Sequence, residues 1–190
     1  MRWDALFRDM ENQLAAGRLL ELETDVAELI RMEESAISLA DRIRGAADSP
    51  VTVVLSGNVR FRGTVSYVGQ EWLLLTEGER SVLVPLRHLT RISDLPKGVL
   101  KPLSQVPHTL AAALRTLARE RAAVRVYLVG ADMAGSGLPV TGVLDRVGSD
   151  FVELAVVADG EPRRESSVRA RLGIPFTAVV AISSRAQAQS

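Results

Sequence analysis

The chain has 190 residues, of which 47% are hydrophobic and 24% charged, which is typical of a folded globular protein and excludes a disordered one. It contains no cysteine, which excludes a disulfide framework, thiolate chemistry and a cysteine-ligated metal. The formal net charge is zero, but residues 1–50 carry a net charge of −5 and residues 51–190 a net charge of +5, so that an acidic segment precedes a basic body.

Residues 1–47 are predicted to form a helical segment. Apolar residues recur at spacings of three and four on both sides of Gly17, at Trp3, Phe7, Met10 and Leu14 and then at Leu22, Val26, Leu29, Ala36, Ala40 and Ile43, with Glu33 interrupting the second series between Leu29 and Ala36. The phase changes near Gly17, so the segment forms either one long bent helix or two helices. The pattern allows both a helix packed on its own domain and a dimerising coiled coil. Acidic residues interrupt the apolar ones from the start, which argues against a signal peptide or a membrane span. The absence of cysteine favours a cytoplasmic protein.

From residue 51 onward, apolar residues alternate with polar ones, which predicts short β-strands. Polar turns such as residues 78–81 separate the alternating runs, and five strands fit between residues 51 and 92. Five short strands in so few residues are typical of a small closed or nearly closed barrel. We therefore predict a first barrel domain over residues 48–93.

Residues 94–107 contain three prolines and a glycine, which predicts a linker. Leu110, Leu114 and Leu117 then share one face of a helix predicted over residues 108–122, and the alternating pattern resumes after it. We predict that residues 108–185 form this helix and a second barrel, followed by a frayed tail over residues 186–190.

The second half of the chain repeats the first. The stretch GTVSYVGQEWLLL, residues 63–75, returns as GVLDRVGSDFVEL, residues 142–154. Matching positions follow at constant offsets, which are 79 residues for Gly63, Val65, Val68, Gly69, Trp72 and Leu75 and 90 residues for Val84, Pro85 and Ile92. The extra residues of the second copy fall within residues 131–140 and 159–172, where turns are expected. A chance repeat would not confine its insertions to turns, so we interpret the chain as a tandem duplication of a helix and a five-stranded barrel.

The duplicated pattern resembles the Sm-like superfamily, which includes the bacterial Hfq proteins. The resemblance rests on a helix followed by five short strands, on the run from Gly63 to Leu75, and on LVPLRHLTRI over residues 83–92. It implies an α+β, mainly β fold class with two tandem five-stranded Sm-like (SH3-like) barrels, each preceded by a helix. In that family the barrels pair edge to edge between subunits into rings, and loops near the pore bind single-stranded RNA. A generic SH3-like barrel with a helix is the alternative architecture.

The sequence departs from the family at positions that bear on RNA binding. Gly69 and Gly148 stand where the family usually has an aspartate, and the Arg-Gly element of eukaryotic and archaeal members is absent. Arg87-His88 resembles the basic-His pair of Hfq, but the second copy has Thr177-Ala178 there. The chain also resembles uncharacterised actinobacterial proteins labelled as transcriptional regulators, and its preference for arginine over lysine indicates a bacterial genome rich in GC.

Catalytic motifs are missing from the sequence. His88 and His108 are the only histidines, and they match no zinc-binding spacing. Residues 130–137 resemble a phosphate-binding loop but lack its Gly-Lys-Ser/Thr ending. Serines and acids form neither a nucleophile elbow nor a carboxylate pair at a defined spacing. We therefore expect no enzyme activity, no cofactor and no bound metal.

Arginines supply three candidate RNA-binding groups. Arg60 and Arg62 flank Phe61 on one predicted strand, so both point to solvent if Phe61 points to the core. The other two groups are Arg87, His88 and Arg91 beside the last strand of the first barrel, and Arg163, Arg164, Arg169 and Arg171 in the inserted turn of the second. Tyr67 and Tyr127 are the aromatic residues expected to face outward, where they would stack on bases.

The predicted function is non-catalytic binding of single-stranded RNA, in post-transcriptional regulation. Exposed barrel edges also predict a homo-oligomer, in which three chains would supply a ring of six barrels. The alternative is a protein-interaction or oligomerisation scaffold that uses the N-terminal helix and the barrel edge strands. Salt-dependent affinity for an oligonucleotide would favour the first function, and arginines neutralised by residues 1–45 would favour the second.

Overall fold

A computed structural model describes Val26 and residues 28–101, 109–130, 139–157 and 167–184. The chain divides into two compact units, Met1–Ser38 and Leu39–Ser190. The predicted change of helical phase at Gly17 and the predicted tail lie outside the described residues.

The first unit contributes one described helix, α1, over residues 28–35, and Val26 is helical as well. The Ser35 hydroxyl donates to the Met32 carbonyl at 2.8 Å near the end of this helix. Apolar side chains of α1 face solvent, since Val26, Leu29, Ile30 and Met32 are each more than half exposed. The helix ends at Ser35, and the non-helical residues 36–38 follow before the second unit begins.

The second unit contains two described helices, α2 (Leu39–Arg44) and α3 (Leu110–Glu120), and ten strands. The strands are β1 (Pro50–Leu55), β2 (Arg60–Val68), β3 (Trp72–Glu77), β4 (Arg80–Pro85), β5 (Leu89–Ser93), β6 (Ala123–Leu128), β7 (Val140–Val147), β8 (Phe151–Val157), β9 (Val168–Pro175) and β10 (Val179–Ser184). Short 3-10 turns join some of them, among them Ser56–Asn58, Leu86–His88 and Phe176–Ala178. We call β1–β5 the first half and β6–β10 the second half.

The mainly β architecture is confirmed, but the prediction of two closed barrels is wrong. The ten strands form one antiparallel sheet in the order β5–β1–β2–β3–β4–β10–β6–β7–β8–β9. The sheet is continuous because β4 pairs with β10, with Leu83 opposite Ile182 and Val82 opposite Ser183. An edge strand that exposes unpaired backbone groups is satisfied by a second strand, and here the other half of the same chain supplies it.

The two halves repeat one another strand for strand. Equivalent pairs face each other at equivalent places, namely Val51–Gly63 and Val124–Gly142, Val65–Leu75 and Leu144–Leu154, and Trp72–Pro85 and Phe151–Pro175. Both halves also shift register at the same point, after Val65 in β2 and after Leu144 in β7. Each strand residue outside the inserted turns therefore has a defined counterpart in the other half.

Two hydrophobic cores share the central strands of the sheet. The first core includes Leu73 and Leu75 of β3, Val82 and Val84 of β4, and Val180 and Ala181 of β10. The second core includes Val179 and Ile182 of β10 together with Trp72 and Leu83, and Leu74 packs against it. Because successive side chains of a strand point to opposite faces, β3, β4 and β10 form a wall with one core on each side.

A helix covers the same strand in each half. Helix α2 packs on β2 and buries Ile43 in the first core, and α3 packs on β7 and buries Leu110 and Leu114 in the second. Thr109 caps α3 by accepting a hydrogen bond from the Ala112 amide at 3.2 Å. The α3 amide of Leu110 donates to the Glu71 carboxylate at 3.1 Å, so a side chain of the first half also holds the start of this helix.

Gly63 provides a test of how closely the strands pack. A Cβ atom at this position would lie 2.5 Å from the Thr76 carbonyl oxygen, which belongs to the backbone of β3. We therefore expect Gly63→Ala to lower the free energy of unfolding by about 1–3 kcal/mol, as is typical of overpacked sites. The measurement is urea denaturation followed by circular dichroism. Gly173→Ala is the matched control, because a Cβ atom there meets nothing within 4 Å, and an equal loss of stability in both variants would contradict the packing.

Candidate nucleic-acid interface

Three of the predicted arginines lie together on the outer face of the first half. Val54 of β1 stands opposite Arg60 of β2 on one side and Arg91 of β5 on the other, and Thr52 stands opposite Arg62. Residues directly opposite on paired strands share a face of the sheet, so the three arginines point the same way. All three are exposed, whereas Phe61 between Arg60 and Arg62 is buried in the first core. We call Arg60, Arg62 and Arg91 the arginine face.

The charges of the arginine face are largely uncompensated within the part of the chain that the structure describes. None of the ion pairs Arg44–Asp41, Arg80–Glu77 and Arg146–Glu153 involves the arginine face. Arg60 lies 3.5 Å from the Asn58 side-chain oxygen, which is neutral. Asp94 brings one carboxylate to the same region, since the Thr52 hydroxyl donates to it at 3.4 Å. Three positive charges thus meet one negative charge, which leaves a basic surface.

Arg87 adds a fourth exposed arginine near this surface. It lies on the turn Leu86–His88, directly before β5. The next residue, His88, is 3.4 Å from the Ser56 hydroxyl, which belongs to the turn between β1 and β2. The two turns are therefore neighbours, and Arg87 lies at the end of the strands where Arg60 lies.

His88 is buried at the junction of the two halves, with 8% of its surface exposed. Its Nε2 atom lies 3.0 Å from the Thr177 carbonyl oxygen of the second half. A carbonyl only accepts hydrogen bonds, so Nε2 carries the proton and Nδ1 is left to accept from Ser56. Burial lowers the pKa of His88 below its ordinary value of 6.5, the hydrogen bond to Thr177 opposes this, and the charge of Arg87 adds to the lowering. The ring therefore offers little surface to a ligand and holds the halves together in its neutral form.

The two tyrosines differ in position. Tyr67 is 40% exposed and stacks on Trp72, with ring centroids 5.2 Å apart. It lies on β2, roughly 16 Å along the strand from Arg62, at about 3.3 Å per residue. The prediction that Tyr127 faces outward is wrong, because its ring packs edge-on against Phe61 at 5.2 Å and closes the first core.

The arginines predicted in the second half do not join the arginine face along the sheet. Arg169 and Arg171 are exposed on β9, which is the terminal strand at the opposite end of the strand order. Arg171 lines a shallow cleft of about 360 Å³. The cleft is also lined by Arg121, Asp145, Arg146 and Glu153. Arg163 and Arg164 lie outside the described residues.

Sequence patterns did not reveal the alignment of Arg60 with Arg91 across β1. The two residues are far apart in the chain, and only the pairing of both strands with β1 brings them onto one row. The junction role of His88 also left no signal in the repeat, because its counterpart in the second half is Ala178.

Comparison with known proteins identifies no relative, since no family model, no curated protein and no solved structure matches the chain. Among the described residues, no group of three or more histidine, cysteine, aspartate or glutamate side chains could hold a metal ion. None of the described helices has the length and apolar character needed to cross a membrane.

The buried His88 predicts a dependence of stability on pH. Its pKa is lower in the folded protein than in the unfolded chain, so the unfolded chain binds the proton first as the pH falls below 6.5. The stability that the neutral ring contributes is present above this value and is lost on acidification. We expect the stability advantage of the wild type over His88→Gln to shrink between about pH 7.5 and about pH 5.5. Urea denaturation at several pH values measures it, and parallel curves for the two proteins would contradict this role of His88.

Proposed function

We propose that this protein binds single-stranded RNA without catalysing a reaction, and that the arginine face is the contact surface. The observation that carries the proposal is the row of Arg60, Val54 and Arg91 across β2, β1 and β5, with Arg62 one step along β2. Exposed guanidinium groups are suited to phosphate groups, which they bind in a bidentate manner.

The spacing of the arginines supports a strand of nucleic acid as the ligand. Arg60 and Arg62 are about 6.6 Å apart along β2, and Arg91 lies two strands away at about 9.6 Å from Arg60. Long side chains at these separations reach different phosphates of one extended backbone. Guanidinium groups also stack on bases, and Tyr67 offers a partly exposed ring farther along β2.

The resemblance to the Sm-like superfamily is part of this proposal. It is the reason for proposing RNA rather than DNA as the ligand, single strands rather than duplexes, and a function in post-transcriptional regulation. The antiparallel order within each half, in which the fifth strand pairs with the first and the first four follow in sequence, is compatible with this assignment.

The arginine face predicts a salt-dependent affinity. Each phosphate contact with a single strand contributes about 0.7 to the slope of log affinity against log salt, so replacing Arg60, Arg62 and Arg91 by glutamine should reduce the slope by about 2. The measurement is fluorescence anisotropy of a labelled single-stranded RNA across a salt series, with duplex DNA of the same length for comparison. The triple variant should also bind more weakly at every salt concentration.

A matched control removes three arginines elsewhere. Arg115, Arg119 and Arg146 are exposed arginines of α3 and β7, and their replacement by glutamine changes the net charge equally. If this control weakens binding as much as the triple variant, the effect is one of net charge and the arginine face is not the site. If the wild type binds no RNA even at low salt, the proposed function fails.

A protein partner is the second candidate function, and the exposed apolar side chains of α1 favour it. Val26, Leu29 and Ile30 fall on neighbouring positions of one helical surface. Apolar residues clustered on a helix are typical of surfaces that meet another protein. Absence of RNA binding in the titration above, with intact folding, would favour this function.

A further inference from the structure

The two terminal strands of the sheet correspond to the two strands that join its halves, and we call the contact between the halves the internal junction. Within the described residues, β5 and β9 each pair on one side only. Because the halves are equivalent, β5 is the counterpart of β10 and β9 is the counterpart of β4. A second copy of the chain could add its β5 to β9 in the same way that β10 adds to β4. Repeated head-to-tail addition would give an open filament or a closed ring.

At the internal junction, where β10 pairs with β4, we call the surface of β3 and β4 the acceptor side and the surface of β6 and β10 the donor side. The acceptor side is apolar, whereas its counterpart on β8 and β9 is not. Leu74 and Leu83 of the first half pack against or within the second core. Their counterparts are Glu153 and Gly173. The Glu153 carboxylate lies 3.9 Å from Arg146, and Gly173 is exposed and has no side chain. At these positions a second copy would contact a charged side chain and a glycine, whereas the second half contacts two leucines at the internal junction.

On the donor side too, apolar residues of the internal junction correspond to polar or charged residues at the free end. Val180, Ala181 and Tyr127 of the second half pack against the first core. Their counterparts in the first half are Thr90, Arg91 and Val54. Thr90 and Arg91 are exposed, and docking of β5 on a second copy would bury the Arg91 guanidinium. Burial of a charge without a partner is unfavourable, so this side also opposes addition.

The polar contact of the junction is missing at the ends as well. His88 meets the Thr177 carbonyl across the internal junction. The counterpart of His88 on the free acceptor side is Ala178, which has no ring nitrogen. The free ends therefore lack the apolar contacts and the hydrogen bond that join the two halves.

We infer that Thr90 and Arg91 at one end of the sheet and Glu153 and Gly173 at the other end prevent head-to-tail assembly. The sheet therefore does not extend beyond the two halves of one chain. The internal junction provides the reference for this inference, because it shows which residues join two halves in the same chain. A consequence is that the arginine face, which includes Arg91, stays open to solvent. The inference does not depend on the proposed RNA binding.

The test restores the junction residues at one end at a time. The donor variant carries Thr90→Val and Arg91→Ala, and the acceptor variant carries Glu153→Leu and Gly173→Leu. Each variant alone has junction residues restored at one end only, so it has no matching end to bind and should sediment as the wild type does. An equimolar mixture of the two variants should form a heterodimer. Burial of two leucine side chains corresponds to a rise in the association constant of about a hundredfold or more. Sedimentation velocity over a concentration series measures it.

A cross-link identifies the contact and separates it from association through α1. The chain has no cysteine, so Ser93→Cys in the donor variant and Leu172→Cys in the acceptor variant introduce one thiol each. These positions correspond to Ser183 and Val82, which stand opposite each other in the internal junction. We expect the disulfide-linked dimer from the restored pair and not from the same cysteines in the wild-type background. Efficient cross-linking in the wild-type background, or none in the restored pair, would overturn the inference. If a double variant fails to fold, Arg91→Ala and Glu153→Leu alone provide the same comparison.

Discussion

The pairing of β4 with β10 is the interaction on which the rest of this structure depends. It converts two five-stranded halves into one sheet and gives the central strands a core on each face. Neither half has a complete core without the other, since Trp72 and Leu83 belong to the second core and Val180 and Ala181 to the first. His88 adds a hydrogen bond across the same junction. The stability of each half is therefore tied to the presence of the other.

The junction also determines which surfaces are free for function. The second half occupies the edge of β4, so the opposite side of the first half, made of β2, β1 and β5, faces solvent and carries the arginine face. One of its residues, Arg91, is the counterpart of Ala181, which packs in the first core where the second half docks. At this position the duplication has an apolar contact in the second half and an exposed charge in the first.

The sequence predicted the local structure well and the way the halves join poorly. Alternation of apolar residues located the strands, and the echo of residues 63–75 in residues 142–154 located the repeat, because both depend on neighbouring residues. The joining of the halves depends on a contact between Leu83 and Ile182, which are distant in the chain and apolar like many others. Arg60 and Arg62 were recognised from their spacing around Phe61, whereas their alignment with Arg91 required the register of β1 with two strands. The inward position of Tyr127 followed from the docking of the second half on the first, where its ring meets Phe61, and the repeat did not indicate this contact.

The most direct test of the account is differential scanning calorimetry of the full chain. If β3, β4 and β10 form a wall shared by both cores, the second unit unfolds in one step, and the calorimetric enthalpy equals the van't Hoff enthalpy for that transition. Leu83→Ala, which removes a side chain from the shared wall, should then lower the temperature of this one transition. Two resolved transitions, with Leu83→Ala shifting only one of them, would contradict the shared wall and show that the halves fold as separate domains.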